Sequence, residues 1–359
     1  MRPDQIPLLT SVGRPTVHPD GSFALVAATA ASFEADGYTG QLWRVPLDGG
    51  APRRATRGFA DSSPQFSPNG RLVAFLRRSP GEPAQVFVAP AEGGEAAQAT
   101  DAKLGVGGFC WSPDSTTLAF TARVPEEGRY GTLDGVPAPQ EDPRHLVGFQ
   151  TQSNGLGWWT DRVRQLFVVA APDPWGAPPV KPVGRAAKDA GPDTSWAVPE
   201  ARQVTHGEWD VADPVFAPAG DAVLVATRAG EDADGHLRAG VHRVCVDSGA
   251  TTPVVSDTRH TFTAPCPSSD GAWLYVLGSD LGDDGLDFVA TNASVFVVGA
   301  DGGAPVRLTD PEDLDLTGPL SPAGADGVLV VREHRGRGEL LRVAPDGTTT
   351  TIGAGGAGV

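Results

Sequence analysis

The sequence has little sulfur and little positive charge. Three cysteines, Cys110, Cys245 and Cys266, and a single methionine are all that 359 residues contain. An odd number of cysteines without CxxC spacing supports neither a disulfide framework nor a zinc site. Each sits in an apolar, strand-like run, so three buried thiols are expected. Only 28 basic residues face 44 acidic ones, a formal charge of −16. Such a chain repels a phosphate backbone or an anionic bilayer, so nucleic acid and membrane surfaces are not expected as partners. No segment approaches the ~18 apolar residues that span a bilayer, and the start, from Met1 to Pro7, lacks the apolar stretch of a signal peptide. A cytoplasmic location is the expectation.

Punctuation is abundant: 46 glycines and 33 prolines break the apolar residues into runs too short for long helices and suited to short strands. Self-comparison of the sequence explains the spacing. An element of Pro, spacer, apolar residue, Ser or a substitute, Pro, Asp or Asn, and Gly occurs as RPTVHPDG, SPQFSPNG and FCWSPDS. It returns as PVFAPAG, PCPSSDG and PLSPAG, and the six copies end at Gly21, Gly70, Ser115, Gly220, Gly271 and Gly324. A run of about five apolar residues follows each copy: Phe23 to Ala27, Leu72 to Leu76, Leu118 to Thr121, Val223 to Ala226, Trp273 to Leu277 and Val328 to Val331. A second run follows, starting at Gln41, Gln85, Gln165, Val241, Ser294 and Glu339, and most of these close on Asp-Gly or Gly-Gly. Two apolar runs joined by such a dipeptide read as a hairpin, because tight turns need positive φ. A last short strand ends near a threonine in most units, as at Thr56, Thr100, Thr205 and Thr309. Four short antiparallel strands per repeat of forty to fifty residues describe a blade, so the fold read here is an all-β β-propeller of about six blades filling residues 1–359 as one domain.

The interval between Ser115 and Gly220 is twice the others, and it reads as one blade with two insertions. The first, about 124–163, gathers Arg129, Tyr130, Arg144, His145, Trp158, Trp159 and Arg162. Aromatic and arginine side chains are favoured interface anchors, so Arg129, Tyr130, Arg144, Trp158, Trp159 and Arg162 are the candidates for contact with a peptide, with packing of the insertion against its own blades as the plainer role. The second insertion, about 172–200, is proline-rich and reads as an exposed loop. Trp43, Trp111, Trp209 and Trp273 read as core. His206 with Glu208 and Asp210 lacks metal-ligand recurrence, and the acidic runs from Glu231 to Asp234 and from Asp280 to Asp287 lack EF-hand spacing. Both runs read as solvated loops, and neither a metal nor a cofactor is expected.

Together the SPDG-type turns, the QLWRV and RQLFVV strands, SNGLGWWTDRVRQLFVV and RQVTHGEWDVADPVFAPAG resemble the N-terminal propeller of S9 (prolyl oligopeptidase-type) serine peptidases, within them the bacterial acylaminoacyl-peptidase or dipeptidyl-peptidase-like members. TolB-like propellers share the SPDG turns. The resemblance implies a non-catalytic propeller that restricts access to short peptides, over an α/β-hydrolase domain that carries the Ser, Asp and His triad. No G-x-S-x-G element occurs in this sequence; Gly278-Ser279-Asp280-Leu281-Gly282 has the wrong spacing. The chain alone is therefore expected to lack peptidase activity. Propellers of the family usually have seven blades, so the chain is expected to stop before a seventh blade and the hydrolase. Short peptides, reached through that domain, and further copies of the same chain are the partners implied. A stand-alone TolB-like interaction scaffold is the alternative, and a lactonase- or lyase-like propeller enzyme a more distant one.

Overall fold

The computed structural model describes every residue except 1, 134, 179, 190–197, 229–231 and 355–359. Glu231, much of the second insertion's end and the glycine-rich terminus therefore lie outside the described residues. The chain divides into two compact units, residues 1–123 with 167–203, and residues 124–166 with 204–359.

In the first unit, Thr10–Val12 and Thr16–Val17 both pair with Phe23–Ser32, which is followed by Gly37–Pro46 and Arg53–Arg54. Ala60–Phe66, Leu72–Arg78, Gln85–Pro90 and Ala97–Gln98 form the second blade, joined to the first by one parallel pairing of Gly40 with Ala60. The third sheet is Val106–Trp111, Thr117–Arg123, Arg164–Ala170 and Arg202–Gln203, so the long interval is one blade carrying insertions. The second unit holds three more four-stranded antiparallel sheets. They are Val211–Phe216, Ala222–Thr227, Gly240–Cys245 and Thr251–Val255; His260–Pro267, Trp273–Asp280, Ser294–Gly299 and Val306–Arg307; and Leu316–Pro322, Val328–His334, Arg337–Val343 and Thr349–Ala354.

The repeated element sits between the first and second strands of each sheet. Gly21, Gly70, Gly220 and Gly271 each donate to the carbonyl three residues back at 2.8–2.9 Å, with φ between 71° and 80°. Glycine adopts that left-handed conformation without steric cost. The leading proline of the motif has a separate reason. The first strands of blades 2, 4 and 5 bulge where Ser63, Asp213 and Ala264 take positive φ just before Pro64, Pro214 and Pro265. A bulge is one place in a sheet where the missing N–H of proline goes unmissed.

A one-sided sheet leaves an apolar face, and the core clusters lie between successive blades. Phe23, Leu25 and Leu42 meet Phe66, Val73 and Phe75; Val86 and Val88 meet Phe109, Trp111, Leu118 and Phe120. In the second unit Leu224, Val241 and Val255 meet Phe262, Leu274 and Val276, while Tyr275 and Leu277 meet Leu320, Val328 and Val330. The tryptophan reading needs correction. Trp111 is buried, but Trp43 and Trp209 are half-buried, and Trp273 is 49% exposed because it opens its strand beside the Ser268 turn. The thiols form no disulfide, yet only Cys266 is buried; Cys110 and Cys245 sit at half-exposed positions of their strands.

The recurring Gln and Thr turn out to close the short fourth strand. Val86 N–H donates to Thr100 Oγ1 at 2.9 Å, Thr100 donates to Gln85 Oε1 at 2.8 Å, and Gln85 Nε2 donates to Ala102 O at 2.7 Å. The third blade repeats the pattern with Leu166, Thr205, Gln165 and Gly207. Removing the buried hydroxyl orphans the Val86 amide and takes one of two donors from Gln85 Oε1, which keeps the Ala102 N–H at 2.9 Å. Thr100→Val should therefore cost about 2 kcal/mol, read as a lower urea midpoint with unchanged slope; an unchanged midpoint would show the clasp to be incidental.

Candidate functional site

The first insertion leaves the third blade after Val124, whose N–H donates to Val163 O at 3.0 Å, and Glu126 N–H donates to Asp161 O at 2.9 Å. This neck brings the ends of a 40-residue excursion together and places Asp161 beneath the loop. Asp161 is 6% exposed. Tyr130 donates its hydroxyl to Oδ1 at 2.9 Å and Arg144 Nε donates to Oδ2 at 2.6 Å, while Arg129 Nε lies 4.0 Å from Oδ2. Arg162 stacks on the Tyr130 ring at 4.7 Å and donates to Trp158 O at 2.8 Å; Arg144 lies 5.8 Å from the rings of both Tyr130 and Trp158. Three of the six residues singled out in the sequence, Arg129, Tyr130 and Arg144, thus surround a carboxylate that was not, and Trp158 and Arg162 pack against them.

The electrostatics follow from that burial. Loss of hydration, reinforced by the hydrogen bond to Asp161, raises the Tyr130 phenol above its ordinary value of 10.0, so it is a neutral donor. The bond to Asp161 raises Arg144. Tyr130 itself has φ 52°, a left-handed position costing a residue with a Cβ about 1–2 kcal/mol, and its anchored hydroxyl fixes it there. The arrangement offers cationic and aromatic surface for binding.

Trp159, the sixth residue, is buried and packs on Trp209 at a ring separation of 5.9 Å. Arg228, half-buried and lowered by loss of hydration, lies 5.7 Å from Trp209 and donates to Gln150 Oε1. Asp234 completes the attachment: its carboxylate accepts from Phe149 N at 2.6 Å and Gln150 N at 3.0 Å. The reading of this acidic run as solvated is corrected for Asp234, which is spent on the insertion's backbone. Asp210 likewise accepts from Arg164 N at 2.8 Å, whereas His206 is exposed. Among the described residues no group of three or more His, Cys, Asp or Glu could hold a metal.

The bonds to Phe149 and Gln150 hold the Asp234 carboxyl below its ordinary 3.8. A depressed folded pKa means the anchor is complete above the ordinary carboxylate range and is lost as pH falls through the lower, folded value. Protection of the Phe149 and Gln150 amides against hydrogen exchange should hold from neutrality to about pH 4 and fade below it. Asp234→Asn should show weakened protection already at neutral pH; equal protection in both proteins at every pH would refute the anchor.

Four four-stranded antiparallel sheets and a nine-stranded sheet that joins the first two blades, with apolar cores between neighbouring blades within each unit, make this an all-β protein of the β-propeller class. No family model matches the chain. An uncharacterized peptidase, YuxL of Bacillus subtilis, is 26% identical over 232 residues, which cover 64% of this chain and 32% of that protein. The chain thus matches about a third of the length of that curated relative. Among solved structures, the acylaminoacyl peptidase of Pyrococcus horikoshii aligns with a TM-score of 0.65 at 16% identity, over 97% of this chain and 46% of that one. The β-propeller domain of the Trilobed protease from Pyrococcus furiosus gives 0.57 at 14%, over 97% and 86%. A putative TolB from Agrobacterium tumefaciens gives 0.52 at 17%, over 84% and 81%. The expected likeness has two supports: the curated relative is named a peptidase, and the fold is the one seen in acylaminoacyl peptidase and TolB structures. No helix among the described residues is long and apolar enough to cross a membrane.

Proposed function

We propose that this chain is the substrate-gating propeller of an S9-type serine peptidase of the acylaminoacyl-peptidase or oligopeptidase kind, acting in the cytoplasm and admitting short peptides while turning folded proteins away. The observation that carries the reading is the extent of the likeness: nearly the whole chain aligns with less than half of an acylaminoacyl peptidase. Peptide-bond cleavage then belongs to a hydrolase domain supplied outside these residues, which contain no G-x-S-x-G element. The test is to read the gene beyond the Val359 codon and in adjacent frames, and to assay the whole product on chromogenic acyl-peptides and on folded protein. Hydrolysis of the peptides alone is expected, with none from this chain by itself. Absence of any such domain would overturn the reading.

A second reading has its own support. The putative TolB is covered over 81% of its length, as a self-contained propeller should be. On that reading the chain is an interaction scaffold, and pull-down should recover a partner that is not a hydrolase.

A further inference from the structure

Three asparagines occur in the chain, and two of them, Asn69 and Asn154, precede glycine. Asparagine is a chemically labile residue, and most so before glycine, because no Cβ obstructs the next main-chain nitrogen as it approaches the side-chain carbonyl carbon. The structure treats the two dipeptides differently.

Asn69–Gly70 is clasped. Asn69 Oδ1 accepts from Ser67 Oγ at 2.8 Å and from Arg71 N at 3.0 Å, and Asn69 N–H donates to Ser115 Oγ at 3.1 Å. Gly70 N, the atom that would attack, donates to Ser67 O at 2.8 Å, and a Cβ on Gly70 would stand 3.1 Å from His18 Nε2. The turn joins Ala60–Phe66 to Leu72–Arg78 within the nine-stranded sheet, so freeing it requires opening a blade.

Asn154–Gly155 is free. It lies at the tip of a separate hairpin, Gln152–Ser153 with Gly157–Trp158, of two residues per strand. Leu156 N–H closes the turn on Ser153 O at 3.2 Å, and Gly155 takes φ 75°. Asn154 and Gly155 are exposed, and among the described residues neither the Asn154 carboxamide nor the Gly155 N–H has a hydrogen-bond partner. Nothing lies within 4 Å of the place a Gly155 Cβ would take. A two-stranded hairpin so short is marginal in water, so its tip opens often enough to sample the attacking geometry.

We propose that Asn154 is a self-modifying site, converted without an enzyme to isoaspartate and aspartate, and that the isoaspartate loosens the first insertion. Gly155 N gives up its proton to a base in solution and forms a bond to Asn154 Cγ. The Cγ–Nδ2 bond breaks, and Nδ2 takes up a proton and leaves as ammonia, which closes a cyclic imide. One water then opens the ring. Cleavage at Cγ leaves aspartate; cleavage at the main-chain carbonyl leaves isoaspartate, whose backbone runs through the side chain and is one methylene longer. The added methylene falls inside the turn that sets Ser153 opposite Gly157, just before Leu156 O and Trp158 O, which both accept from Arg162. Arg162 in turn stacks on Tyr130, so the change reaches the centre of the insertion.

The test is incubation of the chain at mildly alkaline pH, native and unfolded in urea, followed by peptide mass spectrometry with fragmentation that separates isoaspartate from aspartate. Conversion at Asn154 should outrun that at Asn69 severalfold in the native chain, and the two should match in urea. Asn154→Gln should stay unconverted at that position. In the aged, more acidic fraction, trypsin should cut after Arg162 severalfold faster than in the fresh chain or in Asn154→Asp, which has the charge without the extra methylene. Native conversion at Asn154 no faster than at Asn69, or a difference that survives in urea, would overturn the site. Equal cutting of fresh and aged chains, or fast cutting of Asn154→Asp, would overturn the effect assigned to the longer backbone.

Discussion

Asp161→Ala should open the first insertion without unfolding the blades. Trypsin is expected to cut after Arg129 and Arg144 far faster than in the unaltered chain, while the urea midpoint followed by β-sheet circular dichroism stays in place. The reason is that a buried carboxylate gathers the donors of the loop. Asp161 accepts from Tyr130 and Arg144, both half-buried, and lies near Arg129. Losing two hydrogen bonds to a charged group costs about 3 kcal/mol, and that cost falls on the neck of the loop. At 1.4 kcal/mol per decade the open population should rise on the order of a hundredfold. Asp161→Asn, which keeps an acceptor and loses the charge, should fall between. Unchanged cleavage in Asp161→Ala would mean that the Trp159–Trp209 contact and Asp234 alone hold the loop.

Phe262→Ala should have the largest effect on the blades themselves. Phe262 is fully buried, meets Phe296 edge to face at 5.4 Å, and shares a core with Val241, Leu274 and Val276. Truncation to alanine removes the transfer term and leaves a cavity, together about 3–5 kcal/mol. Gly278 supplies a second arm to the test, because a Cβ there would come within 2.7 Å of Phe296 and 2.9 Å of Phe262. Gly278→Ala should overpack this core by about 1–3 kcal/mol. In the Phe262→Ala background Phe296 can tilt into the vacated space, so the two substitutions together should cost less than their sum. Additive costs in chemical denaturation would show that the glycine answers a backbone need instead.

Much of the blade pattern was legible because it rests on short-range chemistry. Apolar runs of five or six residues, a proline-asparagine-glycine turn and a threonine at the close each report a local backbone requirement, and strands such as Leu72–Arg78 and Ser294–Gly299 begin where the runs do. The site was legible only in half. Arginines and aromatics stood out as residue types, and they do converge, but the acidic partner was hidden in WWTDR, where a single aspartate looks like any surface charge. Asp234 was harder still. It serves Phe149, 85 residues away, and nothing in the composition of an acidic loop distinguishes a solvated carboxylate from one that caps a distant backbone. Trp273 shows the opposite failure: alternation correctly gave a strand, yet burial at its first residue depends on what lies beyond the strand's end.

The fourth strands have a consequence for solubility. In blades 1, 2, 3 and 5 they are Arg53–Arg54, Ala97–Gln98, Arg202–Gln203 and Val306–Arg307, two residues each, and three of them carry arginine. An outermost strand exposes a ladder of vacant donors and acceptors that invites another chain, and a charged edge only two residues long offers too few rungs to template one. Blade 4 ends in Thr251–Val255, uncharged but interrupted by Pro253, which has no N–H to offer a further strand. Blade 6 ends in Thr349–Ala354, six residues with neither charge nor proline, and that margin is the one open to strand-by-strand association.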